Sequence, residues 1–306
     1  MEMEDLKKYK GIIPALYAAY DDEGNISPER VEKLAGYYLE VGVNGLYVGG
    51  SSGECVYQSV AERKLVLESV MKAVGDKMTV IAHIAAASTK DSLELARHAE
   101  ELGVDALAAI PPIYYGLPDH AVVKYWTDII EATELDFFIY NIPSTTGHEL
   151  SPEMFVQLLE YPQVVGVKNS SISVLDIQNF RKIQTRDTII YSGVDEQYIA
   201  GRMMGADGGI GSTYGVMPRL YLKLEELLKN NELELAQELQ YTINDIIALI
   251  LIQEGSLYGV MKKVLEINEG VIAGHVRNPL PKITDNDEEA INKIAKMIKE
   301  AEEKYL

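Results

Sequence analysis

Short apolar runs alternate with longer amphipathic stretches along this chain from residue 11 onward. The runs are rich in Val, Ile, Ala and Gly and do not alternate with polar residues, which is typical of parallel strands buried on both faces. Eight of them are predicted as strands: 11–20, 45–50, 78–84, 106–112, 137–143, 164–170, 188–193 and 208–213.

A stretch with helical periodicity follows each of the first seven runs. The predicted helices are 28–41, 58–74, 88–103, 117–133, 151–160, 173–184 and 195–204. Ser27, Ser88 and Ser151 are predicted to cap three of these helices at their amino ends, and a proline follows two of the serines.

This order of elements predicts an α/β fold, a (β/α)8 TIM barrel with a C-terminal helical extension. A doubly wound sheet is the alternative, but the glycine fingerprint of that fold does not follow the first strand. We expect a single domain over 1–306, with the barrel in 11–230 and C-terminal helices in 231–306, interrupted by a loop at 270–286. The apolar residues of these last helices exceed what the barrel needs, which predicts contacts between subunits.

Composition narrows the class of protein. Of 306 residues, 47% are hydrophobic and 25% charged, which is ordinary for a soluble globular chain. A formal net charge of -19 argues against nucleic-acid binding, because phosphate neutralisation needs clustered Lys and Arg. The single cysteine, Cys55, excludes an internal disulfide and is expected to be a buried thiol in a reducing compartment.

No targeting or metal signal is recognised. The start, MEMEDLKKYK, lacks the order of a signal peptide, and no apolar run approaches the 18 or so residues of a membrane span. We therefore expect a cytoplasmic protein without membrane contact. The five histidines are dispersed without ligand spacing, so no metal site is predicted, and His83 is expected to be a satisfied barrel histidine.

The sixth predicted strand, in VVGVKNSS, leads directly into Lys168. At the carboxyl end of a barrel strand this side chain points into the mouth of the barrel, where desolvation favours the free amine, a nucleophile toward carbonyls. The alternative is a lysine that extends to solvent at the rim. Tyr140 ends the fifth strand and could move the protons of such chemistry, although a lone tyrosine there is more often a packing residue.

The second strand ends in GGSSGE. Two glycines allow backbone N–H groups to approach an anion, and the hydroxyls of Ser51 and Ser52 add donors, so this loop could hold a carboxylate. The alternative is an ordinary tight turn. Glu54 is expected to anchor this loop by accepting hydrogen bonds from its amides.

The last two strands end in SGVDEQ and GADGGIGSTYG. Asp195 and Glu196 could accept hydrogen bonds from sugar hydroxyls, or could simply be acids at a helix amino terminus. The final motif lacks the Lys or Arg of a phosphate site, so Ser212 and Thr213 fit a hydroxylated ligand better.

Four motifs in this order, GLYVGGSSGE, YNIPSTTG, GVKNSS and GADGGIGSTY, resemble those of the N-acetylneuraminate lyases, within the larger dihydrodipicolinate synthase family of pyruvate-dependent class I aldolases. The resemblance extends from about Gly11 to the C-terminal helices. It implies reversible cleavage of N-acetylneuraminate to pyruvate and N-acetylmannosamine, without a metal or organic cofactor.

The resemblance also implies roles for individual residues. Lys168 forms the Schiff base with pyruvate, Tyr140 relays protons, and Ser51 and Ser52 hold the pyruvate carboxylate, with Ser51 also in the proton relay. Tyr114 reaches a neighbouring subunit's site, which implies a homo-oligomer, by family habit a homotetramer. The substrate-side candidates are Ser170, Gly193, Asp195, Glu196 and Ser212.

Departures from the family patterns bear on the substrate. Dihydrodipicolinate synthases usually carry an arginine where this chain has Thr145, which favours a sugar substrate. The usual Thr-Pro-Phe turn is replaced by Ala18, Ala19 and Tyr20, and Gly215 replaces an asparagine.

Three alternatives to the lyase remain open at this point. The first is another aldolase of the family acting on 2-keto-3-deoxy sugar acids, which shares every step through the imine. The second is dihydrodipicolinate synthase itself. The third is a non-catalytic sugar-acid binding protein, which would have no use for the proton relay formed by Tyr140 and Ser51.

Overall fold

The parallel sheet contains eight strands in the computed structural model, which describes residues 6–306. The first five residues, on which the expectation about a signal peptide partly rests, lie outside it. The strands are β1 (Gly11–Pro14), β2 (Gly45–Val48), β3 (Thr79–His83), β4 (Ala106–Ala109), β5 (Asp136–Asn141), β6 (Val164–Asn169), β7 (Ile189–Ser192) and β8 (Gly208–Gly211). All eight coincide with predicted runs.

The sheet closes into a barrel. Neighbours along the chain pair in parallel from β2 through β8, and β8 pairs with β1. The ring is completed where Ala15 bridges Tyr47 and the amide of Leu16 donates to the carbonyl of Tyr47 at 2.9 Å. The predicted TIM barrel is therefore confirmed, although β1 ends at Pro14 instead of continuing to residue 20.

Helices surround the barrel and extend it. They are α1 (Pro28–Val41), α2 (Val60–Val74), α3 (Thr89–Glu101), α4 (Asp119–Ile130), α5 (Pro143–Thr146), α6 (Pro152–Leu158), α7 (Val174–Ile183), α8 (Tyr198–Met203), α9 (Pro218–Lys229), α10 (Leu233–Leu251), α11 (Leu257–Glu269) and α12 (Glu288–Tyr305). The hydroxyls of Ser27, Ser88 and Ser151 each accept from the amide three residues later, so the predicted caps are confirmed.

The interior of the barrel is filled by tyrosines and Phe138 packed against alanines and branched residues. Tyr9 closes the amino-terminal end, where its hydroxyl donates to a carboxylate oxygen of Asp136 at 2.6 Å and to the carbonyl of Asp105 at 2.7 Å. The hydroxyl of Tyr191 donates to the carbonyl of Tyr9 at 2.5 Å. Side chains thus fill this end of the barrel, and its open mouth lies at the carboxyl ends of the strands.

The C-terminal helices contact the carboxyl-terminal face of the barrel directly. From α10, the side-chain amide of Gln240 donates to the carbonyl of Asp195 at 3.3 Å, and that of Asn244 donates to the carbonyl of Glu196 at 3.1 Å. The segment between Glu269 and the short 3-10 turn at Asp285–Asp287 holds no helix or strand, as predicted for this loop. No helix within residues 6–306 combines the length and the apolar character that a bilayer crossing requires.

Candidate active site

A cavity of about 490 Å³ opens at the carboxyl ends of the strands. It gathers nearly all the predicted site residues, which are dispersed over six βα connections of the sequence. Those that line it are Ser51, Ser52, Tyr140, Lys168, Ser170, Gly193, Asp195, Glu196 and Ser212. Their assigned roles remain predictions, but the barrel brings their side chains to one place.

Lys168 lies at the floor of this cavity and is only 5% exposed. Its side chain does not extend to solvent at the rim, which was the alternative that the sequence left open. Its Nζ lies 3.9 Å from the ring centroid of Tyr140 and 4.4 Å from that of Tyr47. Among residues 6–306 this nitrogen forms no hydrogen bond or ion pair, and two aromatic faces are its contacts.

The positions of Lys168 and Tyr140 are fixed by a pair of asparagines one residue further along each strand. Tyr140 on β5 is in register with Lys168 on β6, and Asn141 with Asn169. The side-chain amide of Asn141 donates to the side-chain oxygen of Asn169 at 2.7 Å, and its own oxygen accepts from the amide of Leu150 at 3.0 Å. This buried pair holds the two strand ends together, so the phenol and the amine lie side by side.

The loop after β2 has the geometry expected of a carboxylate site. Gly49 adopts a φ of 77°, a left-handed conformation that favours glycine and turns the chain sharply. The backbone amides of Ser51 and Ser52 donate to no other described residue and are free to bind an anion. The ring nitrogen Nδ1 of His83 lies 2.8 Å from the carbonyl of Gly49. Burial, chiefly, lowers the pKa of His83 to about 3, so a neutral ring donates its proton to this carbonyl.

The expectation that Glu54 anchors the loop through the loop's own amides is wrong. Its carboxylate instead forms a buried ion pair with Lys262 of α11, at 2.7 Å, and accepts from the backbone amide of Arg277 at 2.8 Å. The Lys262 ammonium also donates to the carbonyl of His275 at 3.1 Å. The Ser51–Ser52 loop is thereby tied to two segments near the C-terminus, and the lysine supplies the positive charge that a buried carboxylate needs.

The carboxylate of Asp195 lines the cavity and also holds the loop after β8 in place. One carboxylate oxygen accepts from the amide of Thr213 at 2.8 Å and from its hydroxyl at 2.7 Å. Burial raises the pKa of Asp195 to about 6, and the hydrogen bonds from Thr213 oppose that rise. Beside it, the hydroxyl of Ser170 donates to the carbonyl of Gly193 at 3.2 Å. The polar wall is therefore held in place by its own hydrogen bonds.

The glycine at position 215, where the family pattern has an asparagine, has a packing reason. The hydroxyl of Tyr17 donates to the carbonyl of Ser212 at 2.7 Å, and that of Tyr38 donates to the carbonyl of Gly215 at 3.1 Å. A Cβ at position 215 would lie 2.7 Å from both phenol oxygens. The side chain expected at this position from the family pattern would therefore collide with the two tyrosines that hold the loop carrying Ser212.

The substituted turn after β1 also has defined contacts. The hydroxyl of Tyr20 accepts from the side-chain amide of Gln58 at 3.1 Å, and its ring lies 5.0 Å from Nζ of Lys262 and 4.6 Å from the guanidinium of Arg277. Tyr20 thus packs against the buried ion pair, below the Ser51–Ser52 loop.

Several residues of the cavity wall were not predicted. Tyr47 belongs to β2, and an apolar side is supplied by Ile172 together with α10 and α11, through Ile247, Leu251, Leu257 and Tyr258. Tyr47 could not be found from the strand pattern, because β2 is apolar on both faces and does not show which of its side chains point into the barrel. The helical residues gave no sequence signal, since their place depends on how α10 and α11 pack.

Tyr114 is the predicted site residue that the cavity of this chain does not contain. It is 92% exposed, has a φ of 85° and stacks edge-on against Tyr115 with 5.0 Å between ring centroids. Its predicted entry into a neighbouring subunit's site stays a prediction. Among residues 6–306 no cluster of three or more His, Cys, Asp or Glu side chains has the arrangement of a metal site.

Known proteins resemble this chain over its length. A curated N-acetylneuraminate lyase of Mediterraneibacter gnavus is 53% identical over 305 residues, covering 99% of this chain and 97% of that protein. N-acetylneuraminate lyase 2 of Escherichia coli O6:H1 is 34% identical over 293 residues, 95% of each chain. Among solved structures, the wild-type sialic acid aldolase of Ruminococcus gnavus has a TM-score of 0.97 at 53% identity, covering 98% of this chain and 100% of that one.

A second set of coordinates of the Ruminococcus gnavus aldolase, a catalytic lysine mutant, superposes equally well, with a TM-score of 0.97. CdNal from Clostridium difficile, solved in complex with mannosamine, has a TM-score of 0.88 at 32% identity and covers each chain completely. The profile of the Dihydrodipicolinate synthetase family matches residues 8–300. From this match and these identities, the chain belongs to the dihydrodipicolinate synthetase family.

Proposed function

We propose that this protein is an N-acetylneuraminate lyase, a class I aldolase that reversibly cleaves N-acetylneuraminate to pyruvate and N-acetylmannosamine. Relatives of that name are 53% and 34% identical to it over nearly its whole length. The observation that carries the proposal is the buried amine of Lys168 against the ring of Tyr140, in a cavity that the Ser51–Ser52 loop also lines.

The reaction begins with imine formation. The free amine of Lys168 attacks the C2 ketone of the open-chain substrate, whose carboxylate is bound by the amides and hydroxyls of Ser51 and Ser52. A new C–N bond forms, and the ketone oxygen leaves as water after two proton transfers. Tyr140 and Ser51 carry these protons, because both line the cavity beside the amine.

Carbon–carbon cleavage follows from the charge on the imine. The protonated imine accepts the electron pair of the C3–C4 bond while the C4 hydroxyl loses its proton to Tyr140, so N-acetylmannosamine leaves and an enamine remains. Protonation of the enamine and hydrolysis of the imine release pyruvate and restore the amine. The lysine nitrogen takes up the electron pair released from the C3–C4 bond and returns it when C3 is protonated, so the free amine is restored at the end of the cycle.

The hydroxylated part of the substrate binds along the wall formed by the last strands. Glu196 and Asp195 accept from its hydroxyls, and Ser170, Gly193 and Ser212 supply the remaining polar contacts; all five line the cavity. Thr145 also lines it, in the position where the synthases usually carry arginine. The uncharged side chain favours a neutral sugar over a second carboxylate.

A homotetramer forms part of the proposal, together with a single catalytic domain formed by barrel and C-terminal helices. Its support is Tyr114, a large aromatic side chain that is almost fully exposed. Tyr114→Ala is expected to reduce cleavage by about 10²-fold or more if the phenol enters a neighbour's proton relay. Tyr115→Ala, also exposed, is the matched control and should retain activity. Sedimentation of a fully active monomer would contradict this part of the proposal.

The test of the proposed function is chemical. Incubation with pyruvate and borohydride should leave a reduced adduct on the peptide containing Lys168, and Lys168→Ala should abolish both the adduct and cleavage. Tyr140→Phe should slow cleavage by roughly 10²- to 10⁴-fold. Pyruvate release from a panel of sialic acids and 2-keto-3-deoxy acids identifies the substrate. Faster turnover of an unacetylated keto-deoxy acid would identify the other type of aldolase, and an adduct on another lysine would refute the assigned nucleophile.

A further inference from the structure

Tyr47 contacts the reactive nitrogen but has no part in the proton relay described above. It is fully buried on β2, and its ring centroid lies 4.4 Å from Nζ of Lys168. Its ring also packs edge-on against Tyr140, with 5.9 Å between centroids, and lies 6.0 Å from the ring of His83. The face of this ring, and not its hydroxyl, is therefore directed at the amine.

The hydroxyl of Tyr47 is not suited to proton transfer. It is buried and has no hydrogen-bond partner among the described residues. Burial, first of all, raises the pKa of Tyr47 well above the ordinary value, so the phenol keeps its proton and cannot act as a base. A buried hydroxyl without a partner costs stability, which leaves the aromatic face as the useful part of this side chain.

Resting on the proposed Schiff-base function, we infer that Tyr47 is a further catalytic residue whose π face stabilises the positive charge of the iminium formed on Lys168. A cation over the face of a tyrosine is attracted by the ring quadrupole, most strongly where water is excluded. No carboxylate of residues 6–306 forms an ion pair with the nitrogen; the carboxylate of Asp195 acts on it from a longer distance, and the faces of Tyr47 and Tyr140 are its direct contacts. Tyr140 moves protons, whereas Tyr47 supplies only electrostatics.

The charge balance of imine formation determines at which pH the effect of the Tyr47 ring can be measured. When the amine is already an ammonium, one positive charge is present before and after imine formation, and the effect of the ring largely cancels. When the amine is free, amine, ketone and one proton give an iminium and water, so the charge appears only in the product. The contribution of Tyr47 to pyruvate affinity should therefore be larger at a pH at which the amine is free than at a pH at which it is an ammonium.

Four other ionisable groups around the cavity keep their charge over the alkaline range. His83 on β3 has a pKa lowered to about 3, and Asp195, beyond β7, one raised to about 6, so the first is neutral and the second ionised above that value. Arg63 on α2 remains a cation. Tyr258 on α11 has a pKa raised by burial and stays neutral. Pyruvate affinity is therefore compared at about pH 7.5 and at about pH 10, a range over which none of these four groups changes its charge.

The experiment replaces Tyr47 by phenylalanine and by its mono-, di- and trifluorinated forms, which keep the shape of the ring and progressively weaken its negative face. The pyruvate concentration for half-maximal borohydride trapping is measured at both pH values. At about pH 10, the pyruvate concentration for half-maximal trapping should be similar in Tyr47→Phe and the wild type. Each added fluorine should raise it, so that the trifluorinated form needs about tenfold more pyruvate, or above, than the phenylalanine form. The same series is made at Tyr191, which is paired with Lys168 in the sheet but whose ring does not face the nitrogen. There the pyruvate concentration should not change with the number of fluorines.

A flat series at position 47 at both pH values, with trapping intact, would overturn the role of Tyr47 and leave the Schiff-base function standing. Equal slopes at positions 47 and 191 would also overturn it, because the effect would then reflect packing. Absence of trapping in the wild type would instead refute the function on which the inference rests.

Discussion

The buried ion pair between Glu54 and Lys262 gives a quantitative prediction for Lys262→Met. The two side chains are 0% and 2% exposed, so methionine leaves a carboxylate buried opposite an apolar group. Removing one partner of a buried pair costs about 3–5 kcal/mol. At roughly 2 °C per kcal/mol for a chain of this size, the melting temperature should fall by about 6–10 °C. The amide of Arg277 remains as a donor, which keeps the estimate at the lower end.

The adjacent lysine provides the control. Lys263 pairs with Glu266, but these side chains are 41% and 38% exposed, so Lys263→Met should cost about 1 kcal/mol or less. Adding Glu54→Gln to Lys262→Met should recover part of the loss, because the amide needs no counterion. Thermal melts and urea titrations of the four proteins measure these differences. If Lys262→Met melts no lower than Lys263→Met, the pair does not stabilise the loop as argued here.

Two further predictions concern Asp195, which lines the cavity, and Gly215, in the loop after β8. Because burial raises the pKa of Asp195 from 3.8 to about 6, the folded protein binds more protons than the unfolded chain in that window, and stability falls as the pH rises through it. Asp195→Asn should remove this pH dependence. The melting temperature of the variant minus that of the wild type should therefore increase from about pH 4 to about pH 6, and a difference that stays constant would show that Asp195 does not have a raised pKa. Gly215→Ala should lose about 1–3 kcal/mol in a urea titration, because its Cβ would meet Tyr17, whereas Gly116→Ala meets nothing within 4 Å and should be near neutral. Equal stability of these two variants would show that the tyrosines move aside freely.

The sequence predicted the barrel because burial on both faces makes each strand a continuous apolar run between helices. The same property hid Tyr47, since a run that is apolar on both faces does not reveal which side chains point inward. β1 was predicted too long for a related reason: the residues after Pro14 are as apolar as the strand, but they pack beneath the C-terminal segments.

Site residues at strand ends could be predicted because parallel strands bring their carboxyl ends to one rim. The partner of Glu54 could not, since Lys262 lies 208 residues further along the chain and only the packing of α11 brings it near. The apolar wall was missed for the same reason. Apolar residues of the last helices, expected to serve subunit contacts, in part line the cavity through Leu251 and Tyr258.

The pairing of Glu54 with a lysine so far along the chain also affects biosynthesis. A ribosome delivers the chain from the amino terminus, so β1, β2 and the loop after them are made long before α11. Until Lys262 emerges, burying Glu54 would leave its charge without a counterion, which keeps this loop open to water. The nascent barrel therefore completes its Ser51–Ser52 loop only near the end of translation, and a chain cut short before α11 would contain Lys168 without this loop in its final form.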